Sequence, residues 1–139
     1  MALYKFVRAI LAGEPIDIYN HGEMYRDFTY IDDLVKGIAL LIDTVPERPE
    51  DGVVSAGDSQ SPVAPYRVVN IGNGQSVRLM DFVEAVEESL GQSAIRNLTE
   101  IQPGDVPATW ADETLLRDLT RYAPNTDMRD GVARFVACV

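Results

Sequence analysis

The run Arg-Asp-Phe-Thr-Tyr-Ile-Asp-Asp-Leu at residues 26–34 packs one arginine, two aromatics, a threonine and two adjacent aspartates into nine positions. A guanidinium presents N–H donors in a rigid fork that fits a phosphate or a carboxylate at two points. Arg26 is therefore either a phosphate ligand or half of an ion pair with Asp27, Asp32 or another acid. Tyr19, at the end of the strand-like Ile-Asp-Ile-Tyr, can stack on a base or serve as an amphipathic core residue. Asn70 lies inside an apolar strand-like run, where a buried amide must bond a ligand or a neighbouring loop's backbone. Asp105, in Gln-Pro-Gly-Asp-Val-Pro-Ala-Thr, can cap or turn the chain or hold a sugar hydroxyl. Asp32 and Asp33 read most simply as a helix cap whose charge suits the helix dipole. His21 sits in a turn and receives no role, and Cys138 reads as a small apolar residue.

No catalytic set assembles from these residues. Gly72 and Gly74 follow a strand-like run but lack the third glycine and the spacing of a dinucleotide fingerprint. There is one histidine, so no histidine-rich metal site. None of the six tyrosines has a lysine four positions on. The net charge of −10 argues against a nucleic-acid partner, because phosphate backbones call for a surplus of Lys and Arg.

The elements that must position these residues fit in one domain spanning residues 1–139. Apolar residues make up 46 % of the 139 and charged residues 24 %, as in a globular protein. No apolar run reaches the roughly 18–20 residues of a membrane span. The opening Met-Ala-Leu-Tyr-Lys-Phe-Val-Arg has helical spacing and no small-residue cleavage pattern, unlike a signal peptide. The lone Cys138 excludes an internal disulfide and fits a reducing, cytoplasmic compartment.

Leu3, Phe6, Val7, Ile10 and Leu11 share one helical face, which Gly13 and Pro15 close. Residues 16–19 and 25–31 should be extended. A second helix carries Leu34, Val35, Ile38, Leu41, Ile42 and Val45 on one face, and Pro46 ends it. Residues 47–65 lack periodicity and read as a mobile loop. Residues 66–72 read as a strand buried on both faces. A third helix turns Leu79, Phe82, Val83, Val86 and Leu90 inward and ends at Gly91. A short strand at residues 97–102, a Pro-Gly-Asp turn and helices starting near Asp112 and Thr126 complete the chain. The fold class is α/β, an incomplete small mixed sheet with about four short strands and five helices.

The ordered motifs "PIDIYNHGEMYRDFTYIDDLVKGI", "PYRVVNIGNGQSVRLMDFVEAVEESLG", "QPGDVPATWAD" and "PNTDMRDGVARFV" resemble the C-terminal, substrate-binding part of extended short-chain dehydrogenase/reductases. Among these they are most similar to nucleotide-sugar 4-epimerases acting on UDP-glucuronate, in the NAD-dependent epimerase/dehydratase family. The resemblance implies that Arg26 contacts the diphosphate, that Tyr19 lies near the uracil and that Asn70 helps to bind the nucleotide. It extends more weakly to Asp105, since many relatives carry Arg where Gln102 stands.

Intact relatives also have a glycine-rich NAD site and a Tyr-x-x-x-Lys pair in an N-terminal half, and neither motif occurs here. The tyrosine is the base that oxidises the sugar hydroxyl while NAD takes and returns hydride. The chain is thus expected to hold no cofactor of its own and to bind a UDP-sugar weakly without epimerising it. It is expected to be a fragment, either expressed as such or encoded by a shortened gene. The alternative is a non-enzymatic oligomeric binding or interaction module, completed by a separate NAD-binding partner. In either case an uncovered sheet edge at residues 66–72 is expected to drive homo-oligomer formation.

Overall fold

A computed structural model describes residues 2–139. The chain divides into two units, one built from residues 2–28, 75–110 and 126–139, the other from residues 29–74 and 111–125.

In the first unit, α1 (Ala2–Ala12) buries Val7 and Ile10 and stops where Gly13 adopts φ +68°. The Gly13 and Glu14 N–H groups return to the Ile10 and Ala9 carbonyls, satisfying the helix end. β1 (Pro15–Ile18) alternates, with Ile16 and Ile18 inward. A short 3₁₀ turn, Tyr19–Gly22, leads into β2 (Tyr25–Arg26). Gly22 has φ +85°, and a Cβ there would stand 2.6 Å from the Met80 sulfur, so only glycine fits this close passage.

β3 (Val77–Arg78) pairs antiparallel with β2, and α3 (Leu79–Leu90) follows it directly. α3 buries Phe82, Val83, Ala85 and Val86 and ends on Gly91 in the left-handed region. β4 (Ile95–Leu98) pairs in parallel with β1, Pro15 opposite Ile95 through Ile18 opposite Leu98. α5 (Met128–Val136) is capped by Asp127, whose carboxylate accepts from the Arg129 and Asp130 N–H groups. Val132 joins Val7, Ile10, Ile16, Ile18 and the α3 residues in one apolar cluster. Phe28 stacks on Phe82 with centroids 4.1 Å apart and planes 4° from parallel. Such a pair contributes about 0.5–1.5 kcal/mol beyond the area it buries.

The second unit holds α2 (Ile31–Ile42) and α4 (Thr114–Thr120), with Leu116 fully buried. Tyr30, not an aspartate, occupies the N-cap of α2, and no side chain caps the helix. Asp33 instead turns inward as a buried acceptor, 9 % exposed. It takes the Tyr122 hydroxyl at 2.8 Å and the Asn125 N–H at 3.3 Å. These donors come from a distant part of the chain, a partnership that no local pattern shows.

Among the described residues the α/β class, the five helices and the four short strands agree with the sequence. The strands, however, form two separate two-stranded sheets rather than one mixed sheet. Residues 66–72 are not a strand, and Val68 is 55 % exposed rather than buried on both faces. Ser59 Oγ accepts from the Val68 N–H and donates to the Val68 carbonyl, so the backbone groups of that residue are bonded locally. The strand expected at 97–102 starts earlier, at Ile95, and the extended run at 25–31 is a strand only over Tyr25–Arg26.

Burial, and then the hydrogen bond to Asp33, push the Tyr122 phenol up to about 12. A raised folded-state value means the phenol's contribution to stability is complete below about pH 10, where free tyrosine titrates. That contribution is lost as pH rises through about 12. Urea unfolding between those limits is expected to show a falling midpoint that Tyr122→Phe abolishes. An identical slope in the variant would mean that another group titrates.

Candidate anion-binding site

β2 is only two residues long, yet it is held on both sides. β3 pairs along one edge, and residues 107–109 lie along the other. The Tyr25 N–H donates to the Pro107 carbonyl at 2.8 Å. The Thr109 N–H donates to the Tyr25 carbonyl at 3.1 Å, and the Asp27 N–H to the Thr109 carbonyl at 3.1 Å. These bonds bring the Gln-Pro-Gly-Asp segment to the side chain of Arg26. The Asp105 N–H closes back on the Gln102 carbonyl at 3.0 Å, around Gly104 at φ +86°. Pro at the second position and a left-handed glycine at the third define a type II turn.

The guanidinium is seated by three groups. Nη1 donates to the Tyr25 carbonyl at 2.8 Å and to the Pro107 carbonyl at 3.3 Å. Nη2 donates to Asp105 Oδ1 at 2.8 Å. The Arg26 side chain is 25 % exposed and that of Asp105 34 %, so the pair faces solvent in part. An ion pair at that exposure contributes about 0–1 kcal/mol. The partner is neither Asp27 nor Asp32 but an acid 79 residues away in sequence. Two of the four singled-out residues, Arg26 and Asp105, thus meet directly.

Tyr19 follows β1 immediately and is half-buried at the entry of the 3₁₀ turn. Beside it Asn20 and His21 both have φ of 50°, a left-handed pair of non-glycine residues. Asn20 Nδ2 secures this turn by donating to the Glu23 carbonyl at 2.8 Å. His21 Nε2 lies 3.2 Å from Glu100, an exposed pair that the sequence could not join. Asn70 belongs to the second unit and is exposed, not the buried amide expected. Its Nδ2 reaches the Asp112 carbonyl at 3.4 Å. The strand that was to bury it does not form, which accounts for the difference.

The residues missed by sequence reasoning are those that act through the backbone. Pro107 and Thr109 carry no side-chain signal for seating β2, although the Pro-Gly-Asp turn before them marks where the chain reverses.

A nicotinamide dinucleotide does not fit the described residues. Its pyrophosphate seeks a glycine-rich helix start with free N–H groups. The described N-caps are Tyr30, Arg78, Glu113 and Asp127, and acids occupy the first turns of α2, α3 and α5. Among the described residues no cluster of His, Cys, Asp or Glu could hold a metal ion. No described helix is long and apolar enough to cross a membrane.

The NAD dependent epimerase/dehydratase family matches residues 1–57. The chain is 54 % identical over 138 residues to a probable UDP-glucuronate 4-epimerase of Rhizobium meliloti (strain 1021), covering 98 % of this chain and 40 % of that protein. It is 47 % identical to protein CapI of Staphylococcus aureus, covering 98 % of this chain and 41 % of the other. Among solved structures, the Bacillus cereus UDP-glucuronic acid 4-epimerase with UDP-glucuronic acid and NAD superposes with a TM-score of 0.76 at 26 % identity. That match covers 99 % of this chain and 40 % of the other. MoeE5 in complex with UDP-glucuronic acid and NAD gives a TM-score of 0.78 at 27 % identity, covering 99 % and 40 %.

The fold is thus that of a part of the Rossmann-type epimerases. The chain is similar to a C-terminal portion of NAD-dependent epimerase/dehydratases. It spans about two fifths of the length of the curated relatives it matches.

The turn that carries Asp105 to Arg26 depends on Gly104. No atom lies within 4 Å of a Cβ built there, so a side chain meets only backbone strain. Gly104→Ala is expected to cost about 1 kcal/mol in urea unfolding, and Gly104→Asn less, since Asn tolerates the left-handed region. Equal, negligible losses would show that the turn does not require positive φ.

Proposed function

We propose that this chain is the nucleotide-sugar-binding portion of a UDP-sugar epimerase, holding the diphosphate on Arg26, and that it performs no epimerisation alone. The observation that carries the reading is the seat of Arg26. Two backbone carbonyls fix the guanidinium, and a quarter of its side chain remains open to solvent beside the Pro-Gly-Asp turn. A cation already ordered by the fold loses little further freedom on binding an anion. Support for a UDP-sugar as the anion comes from relatives bearing the name UDP-glucuronate 4-epimerase and from neighbours solved with UDP-glucuronic acid. Tyr19 supplies an aromatic face for the uracil, and Asp105 an acceptor for a sugar hydroxyl. The tyrosine–lysine pair and the dinucleotide turn that redox epimerisation uses have no counterpart in this sequence. The part left to the chain is binding and orientation of the substrate.

The test is a calorimetric or NMR titration with UDP and UDP-glucuronate. Saturable binding in the millimolar range is expected, lost in Arg26→Ala. No binding at several millimolar, or binding indifferent to Arg26→Ala, overturns the proposal.

A second reading, an oligomeric interaction module, is favoured by one feature of α2. Ile31, Val35, Ile38 and Ile42, with Val45 just beyond, alternate at spacings of four and three, and each is 49–72 % exposed. An apolar stripe of that regularity is the seam of a helix-to-helix contact. Sedimentation at tens of micromolar is expected to show a dimer or larger species, reduced to monomer by Ile38→Glu. A monomer in the unaltered protein overturns this reading.

A further inference from the structure

Asp105 Oδ1 occupies an N–H of Arg26 Nη2, a donor that a phosphate oxygen could otherwise use. The distance of 2.8 Å is that of a charge-assisted bond. The carboxylate is not a loosely swinging surface acid. Its own N–H is tied to the Gln102 carbonyl, and Oδ1 also accepts the Val106 N–H at 2.9 Å. The turn therefore holds a negative oxygen against the guanidinium with no ligand required. We propose that Asp105 is a built-in competitor of the anion at Arg26, and that its charge sets how tightly a diphosphate binds there. This rests on the reading of Arg26 as the diphosphate ligand.

A phosphate reaching Arg26 meets one of two situations. Either Asp105 leaves Nη2, giving up the ion pair, or it stays and faces the incoming anion as a like charge. Both oppose binding, and both disappear when the carboxylate becomes an amide of the same shape. Asn at this position keeps an Oδ1 acceptor for the Val106 N–H, and so keeps the turn. The part given to Asp105 here differs from that of a sugar-hydroxyl acceptor, because it acts on pyrophosphate, which has no sugar.

The probes are inorganic pyrophosphate, UDP and uncharged uridine, titrated into the unaltered protein, Asp105→Asn, Arg26→Gln and the double variant. Amide NMR spectra check that each is folded. Removing a like charge at about 4 Å in a solvent-facing site predicts about fivefold tighter binding of pyrophosphate and UDP to Asp105→Asn. Uridine is expected to be indifferent. The gain is expected to vanish in the double variant, because it acts through Arg26. If the unaltered protein binds UDP and Arg26→Gln does not, while Asp105→Asn binds equally or more weakly, the competitor is refuted and the diphosphate reading stands. A weaker Asp105→Asn would make Asp105 a positioning residue for Arg26. A gain that survives in the double variant is an effect of net charge and also refutes the proposal. If no variant binds pyrophosphate or UDP at several millimolar, both proposals fall.

Discussion

The first unit depends on a backbone pairing between chain positions some eighty residues apart. Tyr25 and Asp27 exchange amide hydrogen bonds with Pro107 and Thr109. A two-residue strand has no stability of its own, since isolated hairpins of much greater length are marginal in water. Here it is the middle member of three extended segments, bonded to β3 on one edge and to residues 107–109 on the other. Its neighbour in sequence, Phe28, is then delivered to the Phe82 ring in the apolar core. The Pro107 carbonyl is delivered to the guanidinium of Arg26. Core packing and the polar site are fixed together, because both hang on a strand that cannot drift without breaking either.

The second unit shows the opposite balance of burial. α2 has as clear an amphipathic pattern as α1, yet most of its large apolar residues face solvent. What it buries is Gly37 and the carboxylate of Asp33. A Cβ on Gly37 would meet the Ile71 side chain at 3.1 Å, so the helix is drawn close to that segment at one small residue. Asp33 and Tyr122 add a polar clasp, and Lys36 lies 4.5 Å over the Tyr122 ring. Such a helix is positioned by a few specific contacts rather than by a continuous apolar face, which leaves the stripe from Ile31 to Ile42 uncommitted within the unit.

The difference between what could and could not be read from the sequence follows the range of the interactions. Helices depend on spacing of three and four residues, so Val7 with Ile10 and Phe82 with Val86 announced their faces correctly. Gly13 and Gly91 marked the ends because a left-handed residue is needed there. A strand, by contrast, is defined by its neighbour. Val68, Val69 and Ile71 have the right side chains, but Ser59 takes the backbone groups of Val68 and no ladder forms. The reading of Asn70 as buried fell with that strand. The helix-cap reading of Asp33 failed for a related reason, since nothing local reveals that Tyr122 and Asn125 will supply donors. Arg26 and Asp105 were each legible as polar residues in distinctive settings. Their meeting was not, because it is made by the pairing of Tyr25 with the Pro107–Thr109 segment.

That meeting changes how the two readings of Arg26 relate. An ion pair and an anion site looked like alternatives when only residue types were known. In the structure the two carbonyls on Nη1 and the carboxylate on Nη2 serve different ends. The carbonyls carry no net charge and order the guanidinium without neutralising it. The carboxylate adds order too, but at the expense of the positive charge on which a phosphate depends. In a chain of net charge −10, an arginine left unopposed would be the natural target of any nearby acid. Here the acid that meets Arg26 comes from a rigid turn and makes one defined bond. If Arg26 holds a diphosphate as proposed, the ion pair is the resting form of that site, and binding exchanges the Asp105 oxygen for one of the ligand's.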